Sequence, residues 1–245
     1  MATQLKSLGL SEQYASASPF PHIVLDDFFE PDRAAAAAAE IKERTVDMSA
    51  EFYGQHLKGG QRDLSKMGPV TASLIREMGA PGFIAWLQDL TGIGGLRADP
   101  DLFGGGVHQI RRGGFLKVHA DFNWHATMQL YRRVNVLLYL NPGWQKEWGG
   151  NLELWHTDMS GPGASIQPLL GRLAVFSTTD DSFHGHPDPL NCPAEVTRNS
   201  IALYYYSSTP APGAQRSEMT NYQPRHGERF GARHLLHRLK LWVRA

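Results

Sequence analysis

The chain has 245 residues, 42% of them hydrophobic, with 24 basic and 24 acidic side chains that cancel. That balance is expected of one globular domain with a sizeable core, and it argues against a nucleic-acid surface, which needs a basic excess. The single cysteine, Cys192, excludes an internal disulfide, and nothing near the start has the apolar core of a signal peptide. With no run of about 18 apolar residues either, the expectation is no membrane contact and a cytoplasmic location.

In chain order, residues 1–18 are polar and are read as loosely ordered or a short helix. "PFPHIVLDDFF" follows as an entry strand. "PDRAAAAAAEIKER" has proline at its start, Asp32 in the first turn and good helix formers to Arg44, which predicts a helix whose alanines pack closely on a sheet. Residues 49–68 are polar and aperiodic and are read as a long loop over a site; Lys58, Arg62 and Lys66 there could favour an acidic substrate, although a charged loop is more often simply solvated. "GPVTASLIREMG" and "PGFIAWLQDLTG" repeat apolar residues at intervals of three and four, giving two amphipathic helices. From about residue 106 the texture changes to short strands, near 107–111, 115–120, 134–140, 151–156, 172–177 and 200–206, divided by Gly, Pro and Asn turns as in a sandwich or barrel. "GARHLLHRLKLWVRA" is read as a basic C-terminal helix covering the barrel. The organisation expected is a support region at 1–104, a β core at 105–208 and an extension at 209–245.

"KVHADFNWH" raises the first chemical question. At the end of a strand His119 and Asp121 share a face, because side chains alternate. A carboxylate and an imidazole there, joined by a second imidazole, make the facial three-ligand set that suits non-haem Fe(II) and leaves positions open. "TTDDSFHGHPDPL", just after the apolar strand "RLAVFS", offers two completing residues, His184 and His186. Farther on, "TRNSIALYYYS" carries Arg198, Ser200, Ala202 and Tyr204 on one face. An inward guanidinium beside a hydroxyl makes a carboxylate receptor, since its parallel donors match both carboxylate oxygens. The blander reading pairs Arg198 with Glu153.

The order His-x-Asp, distant His, then Arg-x-Ser resembles the Fe(II)- and 2-oxoglutarate-dependent dioxygenases, in their prolyl-4-hydroxylase-like branch. The blocks "VNVLLYLNPGWQKEWGGNLELW", "GRLAVFSTTDDSFHGHPDPL" and "TRNSIALYYYS" extend the similarity over about residues 105–208. The resemblance implies a mainly β fold with flanking helices: a double-stranded β-helix (jelly roll) with the N-terminal helices packed outside the major sheet. It also selects His184 as third ligand, His186 being expected to turn away with Pro187. By the same resemblance His119, Asp121 and His184 hold Fe(II), Arg198 and Tyr139 meet the distal carboxylate of 2-oxoglutarate, and Ser200 and Gln109 are further cosubstrate contacts. Trp124 and Tyr204 are placed near the substrate; His108, His125 and His156 are read as structural or supporting.

The expected reaction consumes O2 and 2-oxoglutarate, yields succinate and CO2, and hydroxylates an aliphatic carbon, in a prolyl residue of a protein or peptide or in a small molecule. Asp121 argues against halogenation, for which relatives have a small residue in its place. Two other readings stand beside this: the same chemistry on a non-proline metabolite in natural-product or cell-surface sugar assembly, and a cupin-like module that binds metal and carboxylate without turnover.

Overall fold

The structure, a computed structural model, describes residues 9–44, 46 and 54–228. The C-terminal helix expected at 231–245 lies outside the described residues. The elements are α1 (Leu10–Ser16), β1 (His22–Leu25), α2 (Pro31–Glu43), β2 (Gln55–Gln61), α3 (Pro69–Met78), α4 (Pro81–Thr91), β3 (Arg97–Ala98) and β4 (Gly106–Ala120). They continue with β5 (Trp124–His125), β6 (Leu130–Tyr139), β7 (Leu152–Trp155), β8 (Pro162–Ile166), β9 (Leu173–Ser177), β10 (His184–His186), β11 (Arg198–Ser207) and β12 (Asn221–Tyr222).

Strand alternation builds the core. On β6, Val134, Val136 and Leu138 face outward, as do Leu173 and Val175 on β9 and Ile201, Leu203 and Tyr205 on β11. These meet Ala34, Ala37, Ala38 and Ile41 of α2, Leu74 and Met78 of α3, and Trp86, Leu87 and Leu90 of α4 in one cluster. Burying each aliphatic side chain contributes roughly 1.5–3 kcal/mol, so this helix-backed face carries much of the stability. The helices are also joined by a polar contact. Glu40 of α2 accepts hydrogen bonds from Val70 N, Thr71 N and Thr71 Oγ1 at 2.9, 2.8 and 2.8 Å, satisfying free donors at the start of α3.

The strands run β1-β9-β6-β11-β4-β10-β7-β8, and the sheet curls into a nearly closed barrel, the double-stranded β-helix. Strand β4 belongs to both faces. Its first half pairs with β11, Ile110 opposite Arg198 and His108 opposite Ser200, and its second half pairs with β10, His119 opposite His184. The bend between the halves falls at Gly113-Gly114. Gly113 has φ 80°, and a Cβ on Gly114 would lie 2.8 Å from Arg111 O and 2.9 Å from His56 O, so no larger residue fits the corner.

The segment 49–68 corrects the reading as a loop. Its described part contains β2, paired along β4, and a 3₁₀ turn at Leu64–Lys66. "QHLKGGQ" has one apolar residue, so no alternation shows; the strand is held by main-chain pairing to an existing edge and not by burial of one face.

Candidate active site

His119 leaves the end of β4 and His184 opens β10, directly opposite in the register. Asp121 follows β4 by one residue. Ligand atoms of these three side chains lie within 4.8 Å of one another, an arrangement able to hold a metal ion. Nε2 of His119 is 3.5 Å from Asp121 Oδ1, and Nε2 of His184 is 3.4 Å from Asp121 Oδ2. Each imidazole is aimed by its other nitrogen: His119 Nδ1–H donates to Lys117 O at 2.8 Å and His184 Nδ1–H to Ser182 O at 2.9 Å, leaving both Nε2 lone pairs turned inward. His186 is not part of this group.

Asp121 is fixed by two further residues. Arg132 Nη2 lies 2.7 Å from its Oδ2, and Asn135 Nδ2 donates to the same oxygen at 2.8 Å. Burial alone would raise the carboxyl pKa, but the Arg132 guanidinium, then the two histidines, hold it well below the ordinary range, so Asp121 is a ready carboxylate. Arg132 is buried, bonded through Nε to Asn135 Oδ1 at 2.8 Å, and covers the Tyr204 ring at 3.4 Å. A bulge in the β6–β11 register between Tyr205 and Tyr206 turns it to that face.

Arg198 lies on the β11 face that looks into the barrel. Its Nε donates to Gly150 O at 2.6 Å and its Nη2 to the Tyr139 hydroxyl at 3.4 Å, and no acid pairs with it among the described residues. Gly150, at φ 73°, is needed there because a Cβ would stand 3.0 Å from Arg198 Cδ. Glu153, the alternative partner, instead accepts from Trp155 Nε1 at 2.9 Å. Burial lowers the Arg198 pKa and raises that of Tyr139. A buried guanidinium without an anion is costly, which makes this a receptor for a carboxylate.

One cavity of about 620 Å³ connects the two clusters, lined by His119, Asp121, His184, Arg198, Ser200 and Tyr204 among others. Two of the expected contacts lie elsewhere. Gln109 is buried on the opposite face of β4, where its Nε2 donates to Ile41 O at 3.0 Å and its Oε1 accepts from Val46 N at 3.2 Å; its neighbours His108 and Ile110 line the cavity instead. Trp124 meets Tyr131 edge to face with Arg216 over its ring at 4.0 Å, outside the cavity lining. Sequence reasoning missed Asn135, Arg132 and Tyr222 as cavity residues, while Lys58, read in a loop over the site, and His186, expected to turn away, also line it. Alternation from Tyr139 back along β6 signals Asn135; the others need the bulge, the edge strand or β12, which sets Tyr222 against His119.

The model of the 2OG-Fe(II) oxygenase superfamily matches residues 105–206. No curated protein matches the chain in sequence. A prolyl-4-hydroxylase from Pseudomonas putida is similar in fold, with TM-score 0.57 and 20% identity over 82% of this chain and 98% of that one. A prolyl hydroxylase from Trichoplax adhaerens, in complex with a hypoxia inducible factor peptide, gives 0.56 and 16% over 82% and 89%. HygX from Streptomyces hygroscopicus, with nickel, 2-oxoglutarate and hygromycin B bound, gives 0.51 and 15% over 76% and 83%. The His-Asp-His cluster and the buried arginine without an acid partner among the described residues fit Fe(II) and 2-oxoglutarate, and residues 105–206 are a 2OG-Fe(II) oxygenase domain, that of a 2-oxoglutarate-dependent dioxygenase, within a prolyl-4-hydroxylase-like fold.

Proposed function

We propose that this oxygenase hydroxylates an unactivated aliphatic C–H, with a prolyl residue as the first substrate to test. His119, Asp121 and His184 would hold Fe(II), Arg198 and Tyr139 would grip the distal carboxylate of 2-oxoglutarate, and Ser200 would line the cosubstrate's path. The observation that carries the reading is the joining of the metal-ligand cluster to an acid-free buried arginine in one cavity. Bound Fe(II) supplies the oxidative decarboxylation of 2-oxoglutarate to succinate and CO2 and the oxidation of the substrate carbon.

The chain's own residues position and insulate that chemistry. Arg132 and Asn135 hold Asp121 Oδ2 and so fix the carboxylate's orientation, with Oδ1 toward His119, where it would help hold Fe(II). Arg198 sets the depth of the cosubstrate. Phe176 and Leu137 on the inner wall exclude water from its methylene chain, and Phe122 and Tyr204 close the side where a substrate would enter.

The test is succinate formation from isotopically labelled 2-oxoglutarate by the Fe(II)-loaded protein in air, alone and with prolyl peptides. Slow succinate release without substrate, stimulated by a prolyl peptide together with a mass gain of one oxygen, is expected. Stimulation only by non-prolyl metabolites would move the substrate to the small-molecule reading. Absence of succinate under every condition would leave a cupin-like binding module.

A further inference from the structure

Resting on the proposed function, we infer that the substrate carries an anionic group, a carboxylate or phosphate, and that Lys58 of β2 is its receptor, with His186 beside it and Arg62 at the rim. The sheet register builds this site. Lys58 is opposite Ile110 on β4, and Ile110 is opposite Arg198 on β11, so the two cationic side chains stand on one rung and face the same cavity. On the next inward rung Gly60, His108 and Ser200 are aligned, and the missing side chain at Gly60 keeps the space before His108 open: a Cβ there would be 3.4 Å from the ring. Farther along β4, Gln55, Leu116 and His186 form a third row on the same wall.

The charges on this wall do not balance. Among the described residues Asp121 is the only acid in the cavity lining, and Arg132 already pairs with it. Arg198 is matched to the distal carboxylate of 2-oxoglutarate, whose other carboxylate belongs with the 2-oxo group at the metal. Lys58 and Arg62 then remain without a counter-charge, and neither has an ion pair or hydrogen bond among the described residues. His186, 3% exposed, has both ring nitrogens unbonded, a buried donor and acceptor with nothing to meet. Burial pulls the Lys58 pKa down to about 8, Asp121 opposing and Arg198 reinforcing the shift, as expected for an ammonium kept in a cleft without its own carboxylate. An unbonded buried group such as His186 is costly unless a ligand satisfies it, and the part-buried Lys58 beside it offers that ligand a charge.

The test titrates inorganic phosphate and acetate separately, by calorimetry, into anaerobic protein saturated with Fe(II) and 2-oxoglutarate. The wild type is compared with Lys58→Met, which keeps the side-chain length, and with Lys58→Arg, which restores the charge. In parallel the 2-oxoglutarate affinity of each is read from the visible charge-transfer band. The expected result is millimolar anion binding, weakened at least about tenfold in Lys58→Met and recovered in Lys58→Arg, with 2-oxoglutarate affinity unchanged within about twofold. Tighter phosphate points to a phosphorylated substrate and tighter acetate to a carboxylate. No anion binding by the loaded wild type, or equal binding by Lys58→Met, overturns the inference, and so does a tenfold loss of 2-oxoglutarate affinity in Lys58→Met, which would make Lys58 part of the cosubstrate receptor. Absence of the band in wild type would remove the proposed function itself, a failure distinct from these.

Discussion

The two faces of β6, β9 and β11 are written in alternate residues of the same strands and do opposite things. Outward, Val134, Val136, Leu138, Leu173, Val175, Ile201 and Leu203 meet the helices in a continuous apolar cluster. Inward, Asn135, Tyr139, Arg198, Ser200 and Tyr204 present donors and charge to the cavity or to its lining. A two-residue period therefore separates stability from chemistry within single strands. Substitutions one position apart should fail in different ways.

The largest effect is expected for Asp121→Ala. It removes a metal ligand and leaves Arg132 buried without its carboxylate, so turnover should fall to background, and equilibrium dialysis should show metal retention lost. Arg198→Met should come next, weakening 2-oxoglutarate by about 100-fold in the charge-transfer titration while metal binding persists. Leu138→Ala, on the outer face next to Tyr139, should cost roughly 2–5 kcal/mol in denaturant unfolding, with 2-oxoglutarate affinity of the folded protein preserved. If instead it weakens the cosubstrate as strongly as Arg198→Met, the separation of the faces is wrong. Asn135→Ala should reduce metal affinity by about tenfold through the freed Asp121 oxygen, again by dialysis.

The mildest prediction is one of pH. Lys58 holds a proton only below a pKa of about 8, and it shares its cavity with His108 on β4, Arg198 on β11, His186 on β10 and Asp121. Anion affinity should thus be high at neutral pH and decline as pH rises through about 8, a decline absent in Lys58→Arg.

Much of this division can be read before folding is known. The two-residue period in "TRNSIALYYYS" places Arg198 and Ser200 on one side, and that in "KVHADFNWH" places His119 with Asp121 on one strand end, whereas Tyr139, in the unbroken apolar run of "NVLLYLN", follows from the resemblance. Gln109 shows where such counting breaks. Ten positions before His119 it would share that residue's face on a regular strand, but the register shift against β10 between Leu116 and His119 changes the parity, so His108, Ile110 and Leu116 line the cavity and Gln109 turns to α2. Lys58 was placed in a loop and not on a strand because β2 carries no apolar alternation, and Arg132 was hidden because a bulge, not the period, turns it inward. His186 reads as a loop residue before proline, yet pairing with Leu116 holds it in the cavity wall. Each miss traces to a long-range pairing or a local irregularity that the period does not encode.

The central claim is that one cavity joins a His119–Asp121–His184 metal site to Arg198, and anaerobic titration of 2-oxoglutarate into the Fe(II)-loaded protein tests it most directly. The account predicts a saturable visible charge-transfer band in the wild type, lost in His184→Ala, shifted to much higher 2-oxoglutarate concentration in Arg198→Met, and retained in His186→Ala. A folded wild type without the band, or a band that survives His184→Ala and vanishes in His186→Ala, would contradict it.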